Sequence, residues 1–298
     1  MSEALVTISE EMANVVERAA ASLVRVEGRR RMPASGIVWS ADGVIVTAHH
    51  VVTRDENVRV GLPGGERVAA AVAGRDPSTD IAVLRVEASG LAAPAWVDPE
   101  ALRVGHLVLA LGRPGADAQA TLGIISALGD AWRTGGGGQV ERFMQTDVVM
   151  YPGFSGGPLV DAGGRFAGLN SSALARGLSL TLPAPTLRRV VSTLLEHGHM
   201  RQGYLGVGAQ PARLPDALAE ELGQETGLLL VSVEPDSPAG RAGLLMGDTI
   251  LALDGEPVRG LEELLGLLSA DRVGQTVPVR IWRGGTLHSV DVTIGERQ

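Results

Sequence analysis

Short apolar runs closed by glycine, proline or aspartate recur along the first two thirds of this chain, a pattern that suits β-strands joined by tight turns. Runs at 22–26, 36–39 and 44–46 come first, the last two joined through Asp42-Gly43, and further runs follow at 58–60, 68–72 and 80–84. A second set occupies 107–111, 121–128, 143–146 and 158–160. Helical stretches between them are too few for βαβ units. The expected architecture is therefore mainly β, with two packed antiparallel barrels of six-stranded type. The 40 glycines, 16 prolines and 3% aromatic content agree with many turns and short strands.

Helices are expected at four places. Met12, Val15, Val16 and Ala19 predict a short amphipathic helix over 8–22, with Ser9 as its cap. Leu187–His197 predicts a helix that closes the β region and stops at Gly198. From Gly203 a smaller α+β unit starts, with strands at 205–207, 227–233 and 249–253, helices at 237–242 and 261–269, and a hairpin of 277–282 with 287–294 around Gly284-Gly285. The organisation is thus an N-terminal segment (1–22), a β domain (23–198) and a terminal domain (203–298). Gly135-Gly136-Gly137-Gly138 is read as a flexible surface connector, with a regulatory loop beside the active site as the alternative.

Charge and composition exclude several functions. A net charge of -8 without a dense basic block disfavours nucleic acid as a partner. With no cysteine there is no disulfide, thiolate nucleophile or cysteine zinc site. His197 and His199 flank a helix end and are read as solvated; His49 and His50 are neighbours on a strand and point apart, so no metal is expected. No phosphate-binding glycine loop or dinucleotide fingerprint is present, and no cofactor is expected. No run is long enough for a membrane span. Glu3, Glu10, Glu11 and Glu17 stand where a signal peptide would be basic and then apolar, which predicts a soluble cytoplasmic protein, or a periplasmic one if an export signal precedes it.

The chemistry centres on Tyr151-Pro152-Gly153-Phe154-Ser155-Gly156-Gly157-Pro158-Leu159-Val160. A serine between glycines suits a nucleophile on a tight turn. A serine hydroxyl needs a base to take its proton as it attacks, and the base in turn needs an orienting acid. His50 and Asp80, each in an apolar run upstream, supply both in the order that chymotrypsin uses for its triad. The amides of Gly153 and Ser155 are candidates for an oxyanion hole.

On these residues and on SGIVWSADGVIVTAHHVV, GRDPSTDIAVLRV, LRVGHLVLALGRPG, FMQTDVVMYPGFSGGPLV, GYLGV and SPAGRAGLLMGDTILALDG, the chain resembles the HtrA/Deg serine proteases over nearly its whole length. The resemblance implies a chymotrypsin-like double barrel followed by a PDZ domain. It also implies an ATP-independent endopeptidase that degrades unfolded or misfolded polypeptide, and a homotrimer built through the protease domains. It gives His50, rather than His49, the role of general base. Asp80 orients that base and Ser155 attacks the scissile carbonyl. Val149, six before the serine, would lie at the base of the primary pocket and favour a small or medium aliphatic residue. Phe154 replaces the asparagine common in the family; it would line the substrate cleft or favour a resting form with the oxyanion peptide turned away. Asn170, Ser171 and Ser172 match the strand that pairs with extended substrate. Tyr204, Leu205, Gly206 and Val207 match the PDZ loop that receives a peptide carboxylate, with the helix at 261–269 as the other wall of the groove. A protein that binds peptides or acts as a chaperone, with its protease site silent or gated, is the alternative.

Overall fold

The computed structural model describes residues 3–175, 177–200, 203–268 and 272–296. The chain divides into two compact units, Met1–Met200 and Arg201–Gln298. In the first, helix α1 (Glu3–Ala20) leads into strands β1 (Leu23–Glu27), β2 (Ala34–Ser40), β3 (Val44–Ala48), β4 (Val58–Gly61), β5 (Arg67–Asp76) and β6 (Ile81–Val86). These close a barrel in the order β1-β2-β3-β6-β5-β4. β3 is buried along its whole length and pairs with β6, Val46 opposite Val83 and Ala48 opposite Ile81. That pairing brings the end of β3 beside the start of β6, where His50 and Asp80 lie.

Strands β7 (Leu107–Gly112), β8 (Gln119–Gly129), β9 (Trp132–Arg133), β10 (Gln139–Val140), β11 (Phe143–Thr146), β12 (Pro158–Asp161), β13 (Phe166–Ser171) and β14 (Ser179–Pro183) follow. All but β9 and β10 close a second barrel, in the order β11-β14-β13-β12-β7-β8. Helix α2 (Ala184–His197) buries Leu187, Val190, Val191 and Leu194, and Gly198 ends it in the left-handed conformation (φ 78°), its N–H donating to Leu194 O at 2.9 Å.

Two sequence expectations change here. α1 begins at Glu3, so Ser9 lies within the helix and does not cap it; the exposed first turns carry Leu5 and Ile8 on the stripe that continues to buried Val15 and Ala19. The four-glycine segment is not a loose connector. It is the tip of the β9–β10 hairpin, held by Thr134 N–H on Gly138 O (2.9 Å) and by the Thr134 hydroxyl on Ser78 O. Any side chain at 138 would strike the Ser78 backbone, within 2.6 Å of a Cβ there.

The second unit contains β15 (Gly203–Tyr204), β16 (Val207–Arg213), α3 (Asp216–Leu222), β17 (Thr226–Val233), α4 (Pro238–Ala242), β18 (Thr249–Leu253), β19 (Glu256–Pro257), α5 (Leu261–Leu267), β20 (Thr276–Arg283), β21 (Thr286–Thr293) and β22 (Gly295–Glu296). Its sheet runs β16-β17-β18-β20-β21, with β19 on β18, and β15 pairs with β22. The turn between β20 and β21 uses Gly284 (φ 55°) and Gly285 (φ 91°), the two successive positive angles that a two-residue hairpin requires. α3, β19 and β22 are elements that the sequence reading did not contain; α5 ends at Leu267, and Ser269 lies outside the described residues.

Candidate active site

A single 3-10 turn, His49–Val51, ends β3 and turns His50 towards the start of β6. Asp80 sits one residue before β6 in the left-handed region (φ 58°), a conformation that aspartate tolerates better than most residues. The turn before it is fixed by Asp76, which accepts from Ser78 N (2.9 Å), Ser78 Oγ (2.6 Å) and the Thr79 hydroxyl.

This turn carries the Asp80 carboxylate to His50. Nδ1 of His50 lies 2.8 Å from Oδ2 and 3.1 Å from Oδ1, and the His50 N–H donates to Oδ1 at 2.8 Å. The Ser171 hydroxyl completes the shell by donating to Oδ2. Asp80 is buried while the His50 side chain is 28% exposed, so the pair presents one open imidazole nitrogen, Nε2. His49 faces elsewhere. Its pKa is lowered, first by burial, with Arg75 and His50 acting in the same direction against Asp80 and Asp76.

Ser155 lies in the segment between β11 and β12. Its Oγ is 2.9 Å from Ser172 Oγ and 3.4 Å from Ser172 N, and among the described residues it makes no hydrogen bond with His50. The turn depends on two glycines. Gly153 has φ 95° with Pro114 2.6 Å from where a Cβ would lie, and Gly156 has φ 85° with Ser35 O at 2.2 Å from the same point. Among the described residues the amides of Gly153 and Ser155 donate to no group, so both remain available as donors.

Two residues expected to meet substrate, Phe154 and Asn170, are placed differently. Phe154 is wholly buried in the core of the second barrel, edge-on to Tyr151 at 5.8 Å and against Gly112, so its ring lines no cleft. Asn170 is also wholly buried: its amide nitrogen donates to Pro158 O, its amide oxygen accepts from Thr181, and its backbone N–H and C=O are taken by Gly157 and Gly156. Ser171 spends its hydroxyl on Asp80. Val149, on the stretch after β11, is 54% exposed, and its carbonyl accepts from the Thr121 hydroxyl at 3.0 Å. Ser172 alone of the serine pair is exposed, beside Ser155. Ser35 carries no sequence signal beyond its place in an apolar strand, yet it binds this turn at several points. Among the described residues no three His, Asp or Glu side chains are grouped to hold a metal ion, and no helix is long and apolar enough to cross a membrane.

In the second unit, β16 is an edge strand with α5 packed near it. Ahead of it, Leu205 is a core residue and Gly206 (φ 78°) leaves no room for a side chain, with Ser237 Cβ 2.1 Å from the Cβ position. The carbonyls of Leu205 and Gly206 accept from Ala239 and Glu234, both at 2.9 Å, while among the described residues the Leu205 and Gly206 amides donate to nothing. The Tyr204 hydroxyl bonds the Glu234 carboxylate. The loop therefore has its carbonyls tied down and two donors free.

Residues 34–169 match the trypsin-like peptidase domain and 203–294 the PDZ domain. Among solved structures, the HtrA-type protease AlgW with decapeptide is 31% identical, with a TM-score of 0.77 over 96% of this chain and 98% of that one. The chain belongs to the HtrA-type serine protease family. A serine endoprotease from Yersinia pestis is as similar, at 31% identity and a TM-score of 0.77 over the same shares of the two chains. Named probable periplasmic serine endoprotease DegP-like, the proteins of Halomonas elongata and Pseudomonas putida are 38% and 36% identical over 90% and 88% of this chain. The chain spans only 57% and 55% of the length of these two curated relatives.

Those names overturn the cytoplasmic expectation: relatives this similar are named as probable periplasmic proteins. The expectation came from the acidic first residues, but these form α1, part of the folded unit, and an acidic surface helix carries no compartment address.

Proposed function

We propose that this HtrA-type chain is a serine endopeptidase acting on unfolded polypeptide, with Ser155 as nucleophile, His50 as general base and Asp80 as the acid that orients it. The observation that carries this reading is the doubly contacted His50–Asp80 pair, tied through adjacent Ser171 and Ser172 to a serine whose turn offers two unoccupied amides. In attack, Ser155 Oγ leaves Ser172, gives its proton to His50 Nε2 and bonds the scissile carbonyl carbon; the Gly153 and Ser155 amides receive the oxyanion. Collapse of that adduct returns the proton from His50 to the leaving amine, and water then releases the acyl group by the same steps in reverse. Acyl transfer of this kind needs no cofactor. A C-terminal peptide would add to the free edge of β16 with its carboxylate on the Leu205 and Gly206 amides, opposite α5.

One observation favours a second reading, a gated site in a peptide-binding protein with a holding function: Ser155 rests on Ser172, not on His50. Labelling with a fluorophosphonate, with and without a hydrophobic C-terminal peptide, separates the two. Adducts on Ser155 that require His50 support the peptidase, and a rise on adding peptide supports coupling to the PDZ domain. No adduct under either condition, with aggregation suppression unchanged in Ser155→Ala, supports the holding function.

A homotrimer fits the apolar surface of the first unit. Leu107 and Ile124 face each other across β7 and β8 and are exposed together with Leu122 and Val104, while Leu5 and Ile8 are exposed on α1. Leu107→Asp is expected to shift the particle from three chains to one by light scattering, with unchanged circular dichroism; a mass unaffected by the substitution removes this wall from the interface.

A further inference from the structure

Among the described residues, the hydrogen bonds by which barrel one holds the nucleophile turn come from Ser35 of β2. It is wholly buried, and each of its polar groups is engaged. Its N–H donates to Ser155 O at 3.2 Å, and its carbonyl accepts the Thr47 hydroxyl at 2.6 Å. Its own hydroxyl lies 2.6 Å from Gly153 O and 2.8 Å from Arg113 N. The roles in the last pair are forced. A backbone N–H can only donate and a carbonyl can only accept, so the hydroxyl takes the Arg113 proton on a lone pair and points its own proton at Gly153 O.

Gly153 O belongs to the Gly153–Phe154 peptide, which lies between the two amides assigned to the oxyanion. The other edge of that peptide is held as well, because the Phe154 N–H donates to Tyr151 O at 3.0 Å. Glycine at 153 has the conformational freedom to rotate this plane, and a rotation whose changes in ψ of Gly153 and φ of Phe154 do not cancel swings the two flanking amides relative to each other. Such a rotation would strand the Gly153 carbonyl and the Ser35 hydroxyl, both without water.

Resting on the peptidase reading above, we infer that Ser35 is a positioning residue for the oxyanion hole: its hydroxyl locks the Gly153–Phe154 peptide so that the Gly153 and Ser155 amides converge. It touches neither substrate nor the triad side chains. Its action is on the transition state, so its loss should appear in kcat and leave KM in place.

The test compares the wild type with Ser35→Ala in the full chain. Cleavage of a short peptide substrate should lose about 10- to 100-fold in kcat with KM within about twofold. Inhibition by a peptide aldehyde, which binds as a tetrahedral adduct, should weaken in parallel, while a non-cleavable peptide should bind as before. Loss of all three together would mean a general disruption of the site and overturn the inference, as would an unchanged kcat. If Ser35→Ala does not fold, Ser35→Cys decides: it keeps the volume and a weak donor, so a lower kcat at constant KM supports the assignment and an undiminished kcat overturns it. Wild-type protein that shows no labelling at Ser155 would count against the peptidase reading itself; normal wild-type labelling with an equally fast Ser35→Ala would count against Ser35 alone.

Discussion

Turnover of unfolded casein by Asp80→Asn should fall about 10⁴-fold, against about 10⁶-fold for Ser155→Ala, with both proteins folded and binding peptide as the wild type does. The two losses differ because the residues do different work. On the proposed assignment Ser155 forms the bond, whereas Asp80 fixes which imidazole nitrogen carries the proton. Its carboxylate can only accept, and it already accepts from the His50 N–H and the Ser171 hydroxyl, so Nδ1 at 2.8 Å must be the protonated nitrogen and Nε2 the base. Asparagine can keep one of those contacts through its oxygen, but its NH₂ would then face Nδ1 and the Ser171 hydroxyl. That stabilises the opposite tautomer, with the proton on the nitrogen that should receive one. Steady-state kinetics on the two variants checks the order. Equal activity of Asp80→Asn and wild type would show that His50 is not held by Asp80 during catalysis.

How far these residues can be seen in a sequence depends on what holds them. His50, Asp80 and Ser155 are legible because each stands at the edge of an apolar run, and strand ends are where a β barrel can expose a polar side chain. The barrels are legible for the same reason: β3 and β6 are mostly apolar, interrupted only by Thr47 and Arg85, and turn residues mark their ends. Partnerships made through space are not. Ser171 and Asp80 are 91 positions apart, and Ser35 and Gly153 are 118 apart; nothing local distinguishes a serine that orients a carboxylate from one that meets solvent. Phe154 misleads in the opposite way. Its neighbours are loop residues, which suggests exposure, but the positive angle at Gly153 turns the chain so that the ring drops into the second barrel. The four glycines mislead by composition, since lack of side chains allows both disorder and close packing, and here Gly138 uses it to sit on Ser78.

The largest stability effect is expected outside this chemistry, at Arg283 in the second unit. Asp248 is 1% exposed, and its carboxylate accepts Nε and Nη2 of Arg283 at 2.6 and 2.7 Å and the Leu245 N–H at 2.8 Å. Burial is the strongest influence and pushes its pKa up, but the Arg283 hydrogen bonds, the Leu245 amide and the charges of Arg283 and His288 together hold it below the ordinary value of 3.8. A lowered folded-state pKa means that the pair contributes fully above the unfolded value and loses its contribution as pH falls through the folded one. Arg283→Met keeps the stem and removes the charge. Asp248 is then a buried carboxylate with one amide partner, and the second unit should lose about 3 kcal/mol at neutral pH, the lower end for a broken buried pair because the arginine is 35% exposed. Acidification should narrow the gap to wild type: without Arg283 the Asp248 pKa rises, the group protonates earlier, and the penalty disappears with its charge. Asp248→Asn combined with Arg283→Met should therefore cost less than Arg283→Met alone. Hydrogen exchange of the β18 amides in the full chain, measured across pH, reads both effects; a deficit that stays constant down to pH 4 would mean that the lost stability comes from packing of the arginine stem and not from the stranded charge.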